Sequence, residues 1–250
     1  MYHLYKKNEL SFSLVWIIAY VVLFSVADSF SASLGIEKII AAPVAIVLVL
    51  LLSGFVSKHN LKEKYGLCSF NGSLRNYLYF IPLLLIMSIN LWKGVTIKLS
   101  VLETALYVLS MLCVGFIEEI IFRGFLFKSL CKDNLKLAII ISSVTFGIGH
   151  IVNLLNGSDL IPTLLQIAYA TALGFLFTII FLRGKSLWPC IIAHSFVNAS
   201  SAFAVENSSL MFHIISSTVL CVVSVCYALW ILRKTKQAGE NENIIKKPQT

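Results

Sequence analysis

Polar side chains occur in three short groups within long apolar stretches of the sequence. The members are Glu118, Glu119 and Arg123 in the first group, His150 and Asn153 in the second, and His194 and Asn198 in the third. A carboxylate can take a proton from water, a histidine can assist it, and an imidazole with an amide can stabilise an oxyanion. These residue types therefore predict hydrolysis of a peptide bond by an activated water molecule.

The two neighbouring glutamates are expected to differ in how well their charge is compensated. Glu119 and Arg123 are four residues apart, so on a helix they share a face and can form an ion pair. Glu118 is rotated from Glu119 by about 100° and is the less neutralised carboxylate, which makes it the candidate general base. The alternative is that all three charged side chains only hold helices together.

Histidine and amide side chains complete the predicted catalytic set. We expect His150 to assist Glu118, with Asn153 in a supporting role. His194 and Asn198 are four residues apart, so they present two hydrogen-bond donors from one helix face. Either histidine could instead be a hydrogen-bonded contact between helices.

Motifs of other hydrolases are absent from the sequence. There is no GxSxG, no catalytic-cysteine motif and no HExxH. One glutamate and two histidines can hold zinc, so a metal site is an alternative, but we favour water alone and no cofactor. The six cysteines show no CxxC spacing, which indicates neither disulfides nor a zinc ribbon.

Membrane-spanning helices must carry these polar groups, because the chain is too apolar for a soluble protein. Hydrophobic residues make up 58% of it and charged residues 13%, against about 45–50% and about 25% in soluble domains. This excludes a soluble enzyme, a secreted disulfide scaffold and a disordered protein. Continuous apolar runs predict an all-α polytopic membrane protein with about eight transmembrane helices. The predicted spans are 10–27, 39–56, 77–91, 101–126, 137–152, 160–182, 187–205 and 210–232.

Basic residues predict the orientation of the spans. With the N-terminus in the cytoplasm, all of the 20 Lys and Arg residues except Lys38, Lys93 and Lys98 fall on the cytoplasmic side. The positive-inside rule demands such a bias, and an even number of spans places both termini in the cytoplasm. The net charge of +8 is thereby explained by topology, and we expect the lipid bilayer, not a nucleic acid, as partner.

Four segments follow from these spans. Residues 1–100 carry the first three helices, 101–205 the catalytic core, 206–233 the last transmembrane helix and 234–250 a polar cytoplasmic tail. In the core, Asp133-Asn134 is the strongest turn signal, and Glu118 and His150 are equally far from it along the chain. At 1.5 Å per residue both lie about 24 Å from the turn tip, so we expect them at one depth.

The three polar groups match the motifs of a known family. They read Glu118-Glu119-xxx-Arg123-Gly124, Phe146-xxx-His150 and His194-xxx-Asn198 on successive predicted helices. In this order they resemble the CPBP family of CAAX prenyl proteases and bacteriocin-processing proteins, also called the Abi family. The motifs cover about residues 101–200; the remaining spans are compatible with the family but not diagnostic of it.

This resemblance implies an intramembrane endopeptidase with its site near the cytoplasmic side. Glu118 and His150 correspond to the water-activating pair of the family, and His194 and Asn198 to the oxyanion-stabilising pair. The family has long been labelled a metalloprotease family, but the resemblance is to members described as glutamate-dependent without metal. The resemblance does not identify the substrate. We expect the substrate to be a membrane-associated peptide or a leader peptide.

Two other functions are compatible with the same residues. The chain could be a non-catalytic membrane partner, such as a bacteriocin self-immunity protein or a scaffold that regulates a sensor. A small transporter would use Glu118, His150 and His194 as a proton relay, but it would also have pseudo-symmetric halves, which the sequence does not show. Composition and short loops favour a multi-pass protein of a bacterial cell membrane; the oligomeric state is not indicated by the sequence.

Overall fold

A bundle of helices forms the protein, as the computed structural model shows for residues 1–155, 157–205 and 209–245. The structure is 79% helical, and none of the described residues belongs to a strand beyond one isolated bridge between Val95 and Ala204. The prediction of an all-α polytopic membrane protein is therefore confirmed. The α-helices are α1 (Tyr2–Lys7), α2 (Glu9–Ser33), α3 (Ala41–Lys58), α4 (Ile81–Met87), α5 (Val101–Glu119), α6 (Lys128–Leu130), α7 (Leu135–Gly149), α8 (Val152–Leu155), α9 (Leu160–Gly184), α10 (Trp188–Ser200) and α11 (Leu210–Ile245).

Shorter helical segments connect some of these helices. They are the 3₁₀ segments Leu74–Phe80, Ile89–Leu91 and Ser201–Phe203, and a π-helical segment, Ile120–Phe127, that continues α5. The predicted span at 77–91 is not one continuous helix, because three consecutive residues, Leu78, Tyr79 and Phe80, have positive φ values. Non-glycine residues rarely adopt this left-handed conformation, and it breaks the helix before α4 begins.

Seven helical stretches among the described residues are long and apolar enough to cross a membrane, one fewer than predicted. The missing one is the predicted span at 187–205, where α10 has only 13 residues. That length is about 20 Å, which is shorter than the hydrocarbon core of about 30 Å. The predicted span is therefore corrected in the length of its α-helix and not in its position, because the 3₁₀ segment Ser201–Phe203 follows α10 directly.

Both ends of α10 contact opposite ends of the bundle. The Leu187 N–H donates to the Gly66 carbonyl at 2.8 Å, in the loop after α3. At the other end, the Thr96 N–H donates to the Phe203 carbonyl at 3.0 Å, in the loop before α5. The chain therefore passes from one end of the bundle to the other at this point, as the alternation of predicted spans requires.

Polar contacts gather several basic turns at one end of the bundle, which we call the basic end. The Glu9 carboxylate, at the start of α2, is 2.7 Å from the Lys64 Nζ and 2.9 Å from the Lys132 Nζ. The Asn71 N–H donates to the Gly184 carbonyl at 3.0 Å, which adds the turn after α9. Burial lowers the pKa of Lys64, but its hydrogen bonds to Glu9 and Tyr5 raise that pKa above the ordinary value. The start of α2, the loop after α3 and the turns after α6 and α9, which were predicted to share one side, therefore lie at one end of the bundle.

Loops before α3 and α5 form the opposite end, which we call the far end. The Glu37 N–H donates to the Glu103 carboxylate at 3.2 Å, and Lys38 lies 2.6 Å from the Asp28 carboxylate. Two of the three basic residues predicted outside the cytoplasm, Lys38 and Lys93, belong to this end; Lys93 lies over the Phe212 ring at the start of α11. The uneven distribution of basic residues along the sequence therefore corresponds to a difference in charge between the two ends of the folded bundle.

Glycines allow the helices that carry the three polar groups to approach each other closely. A Cβ added at Gly115 would lie 2.6 Å from the backbone of Ser195, so α5 and α10 touch backbone to backbone. A Cβ at Gly147 would lie 2.8 Å from the Ile167 carbonyl, where α7 meets α9. The turn that leads into α7 is the predicted one, because Asn134 caps α7 by accepting a hydrogen bond from the Leu137 N–H at 3.1 Å.

Candidate active site

A π-helical segment follows the two glutamates directly. All eight residues of Ile120–Phe127 are buried, and α2 packs against them. A π-helical turn is rare and is often found at functional sites, because the wider turn shifts side chains relative to a regular helix. Here it lies between the glutamates and the basic end of the bundle.

Arg123 and Glu119 form the predicted ion pair. The Arg123 Nη1 donates to the Glu119 Oε1 at 2.9 Å, and both side chains are fully buried. The guanidinium carbon lies 4.0 Å from the centre of the Phe146 ring, which adds a cation–π contact from α7. Because the pair is desolvated, each charge depends on the other for compensation.

Glu119 also holds the first histidine of the α10 motif. The His194 Nδ1 lies 2.9 Å from the same Glu119 Oε1 that Arg123 binds. A carboxylate accepts hydrogen bonds, so Nδ1 carries a hydrogen and Nε2 points away from Glu119. The ring is further packed edge-on against Phe146 at 5.5 Å. Glu119 and Arg123 thereby fix the position of His194.

Glu118 has different partners. Its Oε2 lies 3.5 Å from the His194 Nε2, and its Oε1 accepts a hydrogen bond from the Tyr20 hydroxyl at 2.6 Å. Its side chain keeps 14% exposure, whereas that of Glu119 has none. The structure thus distinguishes the two carboxylates as the sequence predicted, with Glu118 the less compensated one.

Tyr20 was missed by sequence reasoning. It belongs to α2, 98 residues before Glu118, in a span that was considered compatible with the family but not diagnostic. A tyrosine in the middle of an apolar span is a usable signal, because its hydroxyl needs a hydrogen-bond partner when it is buried. The sequence alone does not indicate which partner that is.

A cavity of about 390 Å³ opens from Glu118 between α2, α5, α9 and α10. Four of the predicted site residues line it: Glu118, His150, Asn153 and Asn198. His194 contacts the cavity residue Glu118, so the residues predicted to be catalytic lie around one space. Their chemical roles stay predictions.

Two of the lining residues are oriented by hydrogen bonds. The His150 Nδ1 lies 3.2 Å from the Phe146 carbonyl, which can only accept, so Nδ1 carries a hydrogen and fixes the orientation of the ring. The Asn153 Nδ2 donates to the Gln166 Oε1 at 2.8 Å across α8 and α9. Gly149 borders the cavity, and a Cβ there would meet no atom within 4 Å.

Potential metal ligands at the site contact one another. In the part of the chain that the structure describes, no three His, Cys, Asp or Glu side chains are grouped so that they could hold a metal ion. The Glu119 Oε1 is already shared by Arg123 and His194. That the site works without a metal stays a prediction.

Comparison with known proteins gives a match to the segment that carries the three motifs. Residues 100–200 match the family described as "Type II CAAX prenyl endopeptidase Rce1-like". This segment is the one that carries the motifs of the CPBP resemblance. The resemblance seen in the motifs is confirmed there, and with seven apolar helices in the described residues the chain is a multi-pass membrane protein.

A protein of Bacillus subtilis (strain 168), named "Putative membrane peptidase YdiL", is 42% identical over 83 residues. The aligned part is 33% of this chain and 30% of that protein, so the chain matches less than a third of its relative's length. The similarity fits a bacterial origin, as the composition predicted. It concerns one segment and leaves the activity of the whole chain to be proposed from the site.

Proposed function

We propose that the protein is an intramembrane endopeptidase that hydrolyses peptide bonds with water activated by Glu118. The proposal rests on the different surroundings of two adjacent carboxylates. Glu119 is fully buried and bound by Arg123 and His194, whereas Glu118 faces a cavity that also contains His150 and Asn198. Burying a second carboxylate without a cationic partner of its own is costly, and a catalytic base explains why it is there.

In the proposed reaction, Glu118 takes one proton from a water molecule while the water oxygen bonds to the scissile carbonyl carbon. A tetrahedral oxyanion forms. The Glu118 carboxyl then gives its proton to the leaving nitrogen as the carbon–nitrogen bond breaks. One water is consumed, and the products are a carboxylic acid and an amine.

His150 is proposed to orient this water. Its Nδ1 faces the Phe146 carbonyl at 3.2 Å, and in the neutral form of the ring with the hydrogen on Nδ1 the Nε2 has a lone pair. That lone pair can accept the second hydrogen of the water while Glu118 removes the first. Asn153 supports the arrangement from the next helical turn, where it is held by Gln166.

His194 and Asn198 are proposed to stabilise the oxyanion. Glu119 binds the His194 Nδ1, which directs the Nε2 edge of the ring to the side of Glu118 where the oxyanion forms. Asn198 lies one helical turn further along α10 and lines the cavity with its amide-bearing side chain. Removing one such donor costs about 10²–10³ in rate in other hydrolases.

Replacement of the proposed base tests the function most directly. The Glu118→Gln variant keeps the size of the side chain and a hydrogen bond to Tyr20 but cannot take a proton. Membrane and secreted peptides of wild-type cells are compared with those of a Glu118→Gln strain, and fragments that depend on the protein are expected to disappear. The matched control is Glu63→Gln, which removes an exposed carboxylate at the basic end.

Normal fragments from a well-expressed Glu118→Gln protein would contradict the proposal and favour the non-catalytic partner. The proposal also includes a mechanism without metal. Purified active protein is therefore expected to keep its activity in a strong chelator. Loss of activity that added zinc specifically restores would overturn that part of it.

A further inference from the structure

Two amide side chains, Asn153 and Gln166, lie next to each other in the wall of the cavity. The Asn153 Nδ2 donates to the Gln166 Oε1 at 2.8 Å, and both residues line the cavity. Asn153 belongs to α8 and Gln166 to the second turn of α9, so the pair joins two helices. Both residues are partly buried, and they share the cavity with Glu118 and His150.

The hydrogen bond between the two amides uses only part of their capacity. A primary amide has two N–H donors and an oxygen that accepts twice. Among the residues that the structure describes, neither side-chain amide makes another hydrogen bond. Donors and acceptors therefore remain on both amides. This conclusion does not depend on which amide donates, because exchanging nitrogen and oxygen in both side chains again leaves a donor and an acceptor.

A contact between two helices does not by itself account for this pair. Hydrogen bonds between polar side chains of membrane helices contribute little to stability on average, and polar groups that lack partners are costly to bury. A ligand with its own donor and acceptor would satisfy the remaining groups of the pair. The backbone of a peptide residue has this combination, one N–H and one C=O.

The amide pair lies close to the residue that is proposed to orient the water. The Asn153 backbone N–H donates to the His150 carbonyl at 3.0 Å, so a tight turn connects the two residues. The ends of such a turn have Cα atoms less than about 7 Å apart. An extended peptide advances about 3.3–3.6 Å per residue. The pair is therefore about two peptide residues away from His150.

Gly149 leaves room for a peptide backbone beside His150. It lines the cavity, and a Cβ there would meet no atom within 4 Å. The wall of the cavity next to His150 therefore carries no side chain at this position, and a peptide can lie close to the end of α7.

From the remaining donors and acceptors of the pair and its distance from His150, we propose that Asn153 and Gln166 bind the backbone of the peptide substrate next to the scissile bond. One amide donates an N–H to a substrate carbonyl, and the other accepts a substrate N–H. This inference rests on the proposed peptidase function and specifies its substrate as a peptide that is extended around the cleaved bond. A segment that stays helical cannot form these bonds, because its own turns use the same groups. Backbone bonds do not distinguish side chains, so different residues are accepted at this position.

A scan of the backbone of a cleaved peptide tests the proposal. The probe is a quenched fluorescent decapeptide with the sequence around a Glu118-dependent cut, taken from the comparison of wild-type and Glu118→Gln cells. It is made with a single N-methyl group at one residue at a time, apart from the scissile nitrogen, so that each peptide lacks one N–H. For the full chain in detergent, one methyl group within about two residues of the scissile bond is expected to raise KM about three- to tenfold. Exchange of the side chain at that residue should change KM by less than about twofold.

Variants of the pair connect this effect to the two amides. Gln166→Met and Asn153→Leu replace each amide by an apolar side chain of similar size. Both are expected to raise KM of the unmodified peptide and to reduce the effect of that one methyl group to less than about twofold. The effect is a ratio of two peptides measured on one protein, so it is independent of the folded fraction of a variant. Ser25→Ala, which alters the same cavity from α2, is the matched control and should keep the wild-type ratio.

A methyl effect that persists in both variants would overturn the proposal and leave the pair as a contact between α8 and α9. So would cleavage that responds to no methyl group near the scissile bond. These outcomes leave the proposed function intact, because the peptide is still cleaved. If no cut in the cells depends on Glu118, the proposed function itself is wrong, and the substrate-binding role of the pair is wrong with it.

Discussion

Two halves of the bundle differ in how their polar side chains are buried and paired. Towards the basic end, Glu119 and Arg123 are completely buried and bind each other. Towards the far end, Glu118, His150 and Asn198 surround a cavity that leaves their outer atoms accessible. The boundary between the two halves runs between adjacent residues, Glu118 and Glu119. One half holds the site in place, and the other is open to a substrate.

This division explains why two consecutive glutamates can have different functions. Successive residues on a helix point about 100° apart, so one side chain can face the packed interior while its neighbour faces a cavity. The buried one needs a cation and receives it from Arg123, four residues on. The other is partly buried and is contacted by the Tyr20 hydroxyl and the edge of the His194 ring.

Removing the cation of the packed half is expected to have the largest effect. Arg123→Met leaves Glu119 charged, buried and unpaired, which costs about 3–5 kcal/mol in comparable buried pairs. We expect a strongly lowered midpoint of thermal unfolding in detergent and little protein in the membrane. Glu118→Gln, one residue from Glu119, is the matched control and is expected to unfold at nearly the wild-type temperature. Equal losses of stability in both variants would contradict the division.

A change confined to the cavity half is expected to separate activity from stability. Asn198→Ala removes one of the two proposed oxyanion donors and should lower kcat by about 10²–10³. The thermal midpoint should stay close to that of the wild type, because the side chain borders open space. The measurement is cleavage of an identified peptide by purified protein. A variant with full activity would remove Asn198 from the mechanism.

Features of the sequence that act within one helix or one turn were predictable. The Glu119–Arg123 pair follows from a spacing of four, and the turn at Asn134 from the preference of that residue for helix caps. The grouping of basic turns at one end followed from counting charges between apolar runs. Each of these depends on residues close together in the chain, where helix geometry fixes the neighbours.

Features that depend on packing between distant helices were not predictable. Tyr20 meets Glu118 only because α2 lies against the π-helical segment, and the rotation of α2 is set by side chains throughout the bundle. The sequence did not indicate that α10 is short, because its apolar run continues into a 3₁₀ segment and a loop.

Forcing apart the helices that join the two halves is expected to have an intermediate effect. A methyl group at Gly115 would lie 2.6 Å from the Ser195 backbone, so Gly115→Ala must shift α10 away from α5. Overpacking of this kind costs about 1–3 kcal/mol, and the shift should also move His194 away from both glutamates. Thermal unfolding and the cleavage rate should therefore fall together.

Gly54→Ala is the control for this substitution, because a Cβ there meets no atom within 4 Å on α3. It is expected to leave both measurements unchanged or to raise stability slightly, since alanine favours a helix over glycine by up to about 1 kcal/mol. If Gly115→Ala behaves like Gly54→Ala, the close contact of α5 with α10 does not hold the site.

Removal of the one hydroxyl that connects α2 to the base is expected to have the smallest effect. Tyr20→Phe keeps the ring and loses the 2.6 Å hydrogen bond to the Glu118 Oε1. A hydrogen bond to a charged group contributes about 1.5 kcal/mol at the lower end, so the rate should fall about tenfold. Tyr169→Phe, which alters the same cavity from α9, should keep the wild-type cleavage rate. An unchanged rate in Tyr20→Phe would mean that α2 only closes the cavity wall, and that the base is set entirely by the helices that carry the family motifs.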